Sequence, residues 1–230
     1  MIPAMSATPE QLADDLWRWT AQHPEWHPGE FGSEVACFAL KAGGDAILVD
    51  PLLPPEPEAV LDLIDGIVDE RLAILISIPY HVRSSEEIWR RYREDADTSI
   101  WGHAASGKRL TDRKGFNEIQ PGESTLPAGI TAHRIGKPKR HEMPLHVPSH
   151  DALVFGDAVA EVDGDLVVWS AERVDEKVER FYRDRFNPTL EPLLELDFER
   201  VLVTHGRPVM KNGRKALSKA LGSRPWYHHA

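Results

Sequence analysis

The sequence has a single cysteine, no long apolar run and a deficit of basic residues, and each of these excludes a class of protein. Cys37 alone makes an internal disulfide and a cysteine-based zinc site impossible. The longest apolar stretch, residues 72–79, is too short to cross a bilayer. The N-terminus does not have the charged-then-apolar layout of a secretory signal. We therefore expect a cytoplasmic protein that makes no contact with a membrane.

The charge balance argues against a nucleic-acid partner. The 27 Lys and Arg residues are outnumbered by 37 Asp and Glu residues, for a formal net charge of −10. Nucleic-acid binding needs a basic surface that displaces phosphate counterions. Cations are concentrated in two short stretches, residues 90–93 and 134–140, and the second contains four cations and no carboxylate.

The apolar patterning predicts a mixed α/β chain. A Thr8-Pro9 start followed by Leu12, Leu16 and Trp19 is typical of an amphipathic helix at about 8–23. Further helices are predicted at 58–68, 84–95, 174–185, 188–196 and 211–221. Strands are predicted at 34–41, 46–49, 72–78, 98–101, 130–135, 143–147, 152–155, 166–170 and 200–203. This order indicates two mixed sheets with helices outside them, in one domain over 1–230 with an added N-terminal helix.

Four polar residues each come just after the end of a predicted buried strand. They are Asp50, His81, Asp157 and His205. Strand ends of this kind meet at one edge of a sheet, where binding sites form. Two carboxylates and two imidazoles at such an edge are typical of oxygen and nitrogen ligation of a metal ion.

These segments, in this order, resemble the metallo-β-lactamase-fold superfamily over about residues 34–221. The resemblance implies a four-layer αββα sandwich of two mixed sheets flanked by helices. It also implies three roles: Asp50 orients the metal-binding loop, Asp157 bridges two metal ions, and His205 binds the second ion.

The main metal-binding loop departs from the family pattern. Family members carry His-x-His-x-Asp-His, whereas the matching stretch here has Pro79, His81, Arg83 and Ser84 at those four places. Moving the alignment so that His81 becomes the first histidine recovers few of the family's metal ligands, because Arg83, Ser85 and Glu86 then stand at the other places. Lys137 stands where the next family histidine is expected, with His141 as the alternative.

The remaining ligands therefore suffice for at most one ion. A catalytic zinc needs about three protein ligands and an open position for water. His81, Asp157 and His205, with His141 as a fourth candidate, cannot fill two sites. The resemblance thus implies zero or one divalent ion, which would be zinc, manganese or iron.

Two functions stay open at this point. The first is a divergent hydrolase acting on a small ester, thioester, lactone or phosphoester, with Asp157 as the catalytic residue that takes the proton. The second is a metal-free, non-catalytic protein in which Arg83, Lys137 and Arg140 bind an anionic small molecule. Arg83 is interpreted as pairing with Asp157 and supplying, with Lys137 or Arg140, the positive charge that a metal supplies in relatives; the alternative is that it points to solvent. A nuclease is disfavoured by the net charge and by the missing ligands.

Overall fold

Strands predominate in the structure, which is a computed structural model that describes residues 7–27, 31–122 and 126–228. The first five residues, on which the predicted absence of a secretory signal depends, lie outside the described residues. The strands are β1 (Glu10–Ala13), β2 (Leu16–Gln22), β3 (Glu34–Ala42), β4 (Asp45–Val49), β5 (Arg71–Ile76), β6 (Asp97–Gly102), β7 (Phe116–Glu118), β8 (Thr131–Ala132), β9 (Leu145–Val147), β10 (Ala152–Phe155), β11 (Val159–Val162), β12 (Asp165–Val168) and β13 (Arg200–Val203). The α-helices are α1 (Glu58–Ile67), α2 (Ser85–Tyr92), α3 (Ala104–Gly107), α4 (Glu176–Phe181) and α5 (Gly213–Leu221).

The chain divides into two units. The first comprises Met1–Trp26 and Ser33–Ile119, and the second comprises His27–Gly32 and Gln120–Ala230. The single domain over 1–230 stays a prediction. Among the described residues, no helix has the length and the apolar character that are needed to span a bilayer.

The first unit is built on a seven-stranded mixed sheet in the order β1-β2-β3-β4-β5-β6-β7. Strands β1 to β4 are antiparallel to their neighbours, and β4 to β7 are parallel. The continuous apolar run of β5 is buried between β4 and β6, as expected for a central parallel strand. Helix α1 adds Val60, Ile64 and Ile67 to the core of this unit.

The predicted N-terminal helix at about 8–23 is wrong. Residues 10–22 form the β1–β2 hairpin, which turns at Asp15 with φ of 55°. Strand β2 pairs with β3 along its whole length, and Trp19 donates from Nε1 to the carbonyl oxygen of Leu52 at 2.9 Å. Tryptophan and threonine favour strands. Pairing with the edge of β3 therefore determined the conformation of this segment, because the helical spacing of its apolar residues is weak.

The second unit has a four-stranded mixed sheet in the order β13-β10-β9-β8 and a separate β11–β12 hairpin. Strands β10 and β13 are parallel, whereas β9 is antiparallel to both β10 and β8. Phe155, Phe186 and Val203 are among the fully buried residues of its core.

The segment that follows the β11–β12 hairpin is less regular than the sequence predicts. The helix predicted at 174–185 is α4 continued by a π turn, Tyr182–Phe186. The helix predicted at 188–196 is a pair of 3-10 turns, Asn187–Thr189 and Glu191–Glu195. Pro188 and Pro192 lack the amide hydrogen that a continuous helix requires, which accounts for the interruption.

Candidate functional site

In the first unit, the carboxyl ends of β4 and β5 bring Asp50 and Ser77 together. The two strands pair in parallel, and the Asp50 amide donates to the carbonyl oxygen of Leu75 at 3.0 Å. The Asp50 carboxylate is buried and accepts the Ser77 amide at 2.8 Å through Oδ1 and the Ser77 hydroxyl through Oδ2. Because both oxygens have partners, the carboxylate is held in one orientation.

Asp50 also orients the ring of His81. This histidine lies on the 3-10 turn Pro79–Val82, directly after β5, and is buried. Its Nδ1 is 2.9 Å from Oδ2 of Asp50. Because a carboxylate accepts hydrogen bonds, we assign the proton to Nδ1, which places the lone pair on Nε2. A histidine oriented in this way presents Nε2 as a base or as a metal ligand.

Arg83 ends the same turn in a strained backbone conformation, with φ of 36° and ψ of −123°. Residues with side chains seldom adopt a positive φ, and such strain is concentrated at functional sites. Its Nη1 donates to the carbonyl oxygen of Asp50 at 2.9 Å and lies 3.9 Å from Sγ of Cys37. Among the described residues, Nε and Nη2 are buried and have no hydrogen-bond partner. The interpretation of Arg83 as a solvated side chain is therefore wrong, and its pairing with Asp157 stays a prediction.

In the second unit, the parallel pairing of β10 and β13 brings Asp157 and His205 together. Both side chains are largely buried, and Oδ1 of Asp157 lies 3.7 Å from Nε2 of His205. Two of the predicted site residues thus meet at one sheet edge. Their positions follow from the strand ends at Phe155 and Val203 that the sequence indicates.

Glu142, which the sequence does not mark as a site residue, holds the backbone on which Asp157 stands. It is fully buried, and its two carboxylate oxygens accept the amides of Gly156 at 2.9 Å and of Asp157 at 3.0 Å. Burial, with a smaller contribution from the Asp157 charge, raises the pKa of Glu142 from 4.5 to about 7. Sequence reasoning takes Glu142 only as part of the entry to a strand, so nothing in the pattern singles out this carboxylate.

We predict that this burial makes stability fall as the pH rises. The folded pKa of Glu142 lies above its unfolded value, so between about pH 4.5 and 7 the folded protein keeps a proton that the unfolded chain has lost. The free energy of unfolding therefore falls by about 3 kcal/mol as the pH rises through this window, at 1.36 kcal/mol per pKa unit. Urea unfolding of the wild type and of Glu142→Gln should show a stability difference that changes with pH across this window. A difference that is constant with pH would contradict the prediction.

The basic stretch 134–140 contributes a cation that sequence reasoning does not select. Lys137 and Arg140, the two predicted anion-binding residues, are exposed. Lys139 is half-buried instead, with its Nζ 4.2 Å from the centre of the Trp169 ring. An ammonium over an indole face is a favourable cation–π contact.

Aromatic rings pack around His205. Its ring centre lies 5.0 Å from that of Phe31 and 5.4 Å from that of Trp169, and Phe31 also packs edge-on against Trp226 at 4.6 Å. These are the separations of contacting aromatic pairs. The cluster explains why Phe31, although far away in sequence, belongs to the second unit.

Solved structures with the same arrangement of strands and helices cover nearly the whole chain. A structure of the DIM-1 metallo-beta-lactamase exposed to ceftazidime is 15% identical, with a TM-score of 0.67 over 95% of this chain and 96% of that one. A metallo beta lactamase from Erythrobacter litoralis, with beta mercaptoethanol in its active site, is 15% identical, with a TM-score of 0.63 over 93% and 94%. This chain has the metallo-β-lactamase fold.

Flavoproteins of the metallo-β-lactamase fold match as well. One from Thermotoga maritima is 14% identical, with a TM-score of 0.65 over 94% of this chain but only 60% of that one. No protein-family model and no curated protein matches the sequence. The predicted metallo-β-lactamase fold, with two mixed sheets and helices, is confirmed.

The described residues of this metallo-β-lactamase-fold protein show no cluster of metal ligands. Among them, no group of three or more His, Cys, Asp or Glu side chains is arranged to hold an ion. A catalytic zinc site has about three such ligands. The departures Pro79, Arg83 and Ser84 explain part of this result, since a proline and a guanidinium cannot coordinate a cation.

The predicted ligands are distributed over both units of the metallo-β-lactamase-fold protein. His81 lies in the first unit, and Asp157 and His205 lie in the second. His141 also lies in the second, half-buried on the turn in which the Glu142 amide donates to the carbonyl oxygen of Lys139. A joint metal site of these four residues stays a prediction.

Proposed function

We propose that this metallo-β-lactamase-fold protein binds a small anionic molecule through Arg83 without a metal ion. The observation that carries the proposal is the Nε–Nη2 edge of the guanidinium. Both nitrogens are buried, and neither has a hydrogen-bond partner among the described residues. The third nitrogen, Nη1, is anchored on the Asp50 carbonyl oxygen.

The chemistry of this edge favours an oxyanion. Nε and Nη2 donate in parallel, in the geometry that carboxylate and phosphate oxygens accept two at a time. A buried donor without an acceptor costs about 1–3 kcal/mol, and more when the group is charged. A bound anion would remove this cost and would also neutralise the buried positive charge.

Two features prepare Arg83 for such a role. Its Nη1 bond to Asp50 fixes the plane of the guanidinium, so less conformational entropy is lost when a ligand binds. Its backbone keeps a positive φ that a glycine would adopt more easily, although the residue is an arginine. The anion-binding role of the exposed Lys137 and Arg140 stays a prediction.

The proposal is tested by calorimetric titration with inorganic phosphate and with acetate, in the presence of a chelator. We expect both to bind the wild type, and Arg83→Ala to weaken both by about 10- to 100-fold, the range for loss of charge-assisted hydrogen bonds. Arg113→Ala, which removes an exposed arginine that lies over the Phe116 ring, serves as the matched control and should bind normally. Binding that appears only after zinc is added, or that Arg83→Ala leaves unchanged, would overturn the proposal.

A second candidate is a hydrolase, and the Asp50–His81 pair supports it. With its proton on Nδ1, His81 would accept a proton through Nε2 from a water that attacks an ester, thioester, lactone or phosphoester. Asp50 would stabilise the imidazolium that forms. Asp157 remains the other proposed proton acceptor.

The hydrolase is tested with 4-nitrophenyl acetate and 4-nitrophenyl phosphate, with chelator and then with added zinc, manganese or iron. Turnover that His81→Ala abolishes and that His103→Ala, at the N-cap of α3 in the same unit, retains would establish it. Equal rates for the His81→Ala variant and the wild type would exclude His81 as the base.

A further inference from the structure

The first turn of α2 begins two residues after Arg83 and is not capped by a side chain. Ser84 occupies the N-cap position, but its side chain makes no capping hydrogen bond. Its hydroxyl oxygen accepts the Leu53 amide at 2.9 Å instead. The amides of a first turn have no acceptor within the helix, and they carry the positive end of the helix dipole.

Ser85, the first residue of α2, is an independent sign of a ligand. It is 0% exposed, and its hydroxyl has no hydrogen-bond partner among the described residues. The Cα–Cβ bonds of a helix tilt toward its N-terminus, so this hydroxyl is directed to the same end as the open amides. At a helix N-terminus next to Arg83, an unsatisfied buried hydroxyl indicates a missing partner.

The acidic residues of the first turn do not supply that partner. Glu86 accepts the amides of Thr111 at 2.9 Å and Asp112 at 2.8 Å, and it also pairs with Arg90. Glu87 is exposed. The open donors of the turn therefore remain available to an anion that enters beside Arg83.

We infer that the N-terminus of α2, with the Ser85 hydroxyl and the Nε–Nη2 edge of Arg83, is a site for a tetrahedral oxyanion, the phosphoryl group of a phosphate monoester. The inference rests on the proposed function and names its ligand class. A carboxylate has two oxygens, which the guanidinium edge alone would occupy. A phosphoryl group has further oxygens for the hydroxyl and the helix amides, and helix N-termini are suited to phosphate.

The site would thus have the opposite charge preference to a metal site. In the family pattern that the sequence resembles, the stretch before this helix carries an aspartate and a histidine ligand. Here those two places are taken by Arg83 and Ser84. Hydrogen-bond donors have replaced metal ligands along the segment that leads into α2, and the Ser85 hydroxyl adds a further donor.

The test compares inorganic phosphate with acetate by calorimetric titration of the full chain in chelator. We expect Ser85→Ala to weaken phosphate binding by about 10-fold, the loss of one hydrogen bond to a charged group, and to change acetate binding by less than about twofold. Ser106→Ala is a matched control, because Ser106 is also 0% exposed with an unpartnered hydroxyl in the same unit. It should leave both affinities unchanged.

The outcomes separate this inference from the proposed function. If Arg83→Ala weakens both anions and Ser85→Ala weakens neither, the proposed function stands and the phosphoryl site is overturned. If the wild type binds neither anion, both fail. Ser85→Gly provides a second variant without the hydroxyl should Ser85→Ala unfold, and a phosphate affinity equal to that of the wild type in either variant refutes the site.

Discussion

Asp50→Ala is expected to lower the free energy of unfolding by about 4 kcal/mol, because each of three buried donors left without an acceptor costs about 1–3 kcal/mol. The Asp50 carboxylate is 2% exposed and accepts from three donors: the Ser77 amide, the Ser77 hydroxyl and Nδ1 of His81. Alanine would leave these donors buried without an acceptor. Urea unfolding followed by tryptophan fluorescence measures the loss.

Two further variants separate the causes of that loss. Asp50 has φ of 50°, so part of the cost comes from placing alanine in a left-handed conformation. Asp163→Ala isolates this part, since Asp163 has φ of 53° and is exposed; we expect it to cost about 1 kcal/mol. Asp50→Asn keeps the shape of the side chain but loses one hydrogen-bond acceptor, so its loss of stability should lie between those of Asp50→Ala and Asp163→Ala. An Asp50→Ala variant as stable as Asp163→Ala would show that the three hydrogen bonds contribute little.

The sequence could place Asp50 but not its partners. A buried strand that ends in Asp50-Pro51 is visible as a pattern, and so is the strand before His81. That Ser77 supplies two of the donors depends on the parallel register of β4 and β5, which no local pattern encodes. Strand ends are therefore predictable from one sequence, whereas the hydrogen bonds across them are not.

The same limit explains what was missed in the second unit. Asp157 and His205 follow strands with clear apolar runs. Glu142 and Lys139 have no such mark, because their roles depend on contacts with the Gly156 and Asp157 amides and with the Trp169 ring. The wrong helix at 8–23 has a related cause, since pairing with β3 decided the structure of that segment.

Gly206→Ala is expected to lower the free energy of unfolding by about 4 kcal/mol and to displace His205, combining backbone strain with a steric clash. Gly206 has φ of +94°, and an added Cβ would fall 2.6 Å from Oε2 and 2.8 Å from Cβ of Glu161, and closer still to its carbonyl oxygen. Glu161 cannot easily withdraw. Its amide donates to the His205 carbonyl oxygen at 3.0 Å, and its Oε2 accepts the Arg207 amide at 2.6 Å.

Gly164→Ala is the matched control, because it isolates the backbone part of that cost. Gly164 has φ of +91°, almost the same as Gly206, but an added Cβ would have no atom within 4 Å. We expect this variant to lose only about 1 kcal/mol, the cost of a left-handed alanine. The imidazole NMR resonances of His205 should shift in Gly206→Ala and not in Gly164→Ala. Only the Gly206 variant has a steric clash, and that clash acts on the backbone that places His205 3.7 Å from Asp157. Equal stability losses in the two variants would mean that Glu161 moves aside without a free-energy cost. His205 would then be positioned by its aromatic neighbours rather than by the close contact between Gly206 and Glu161.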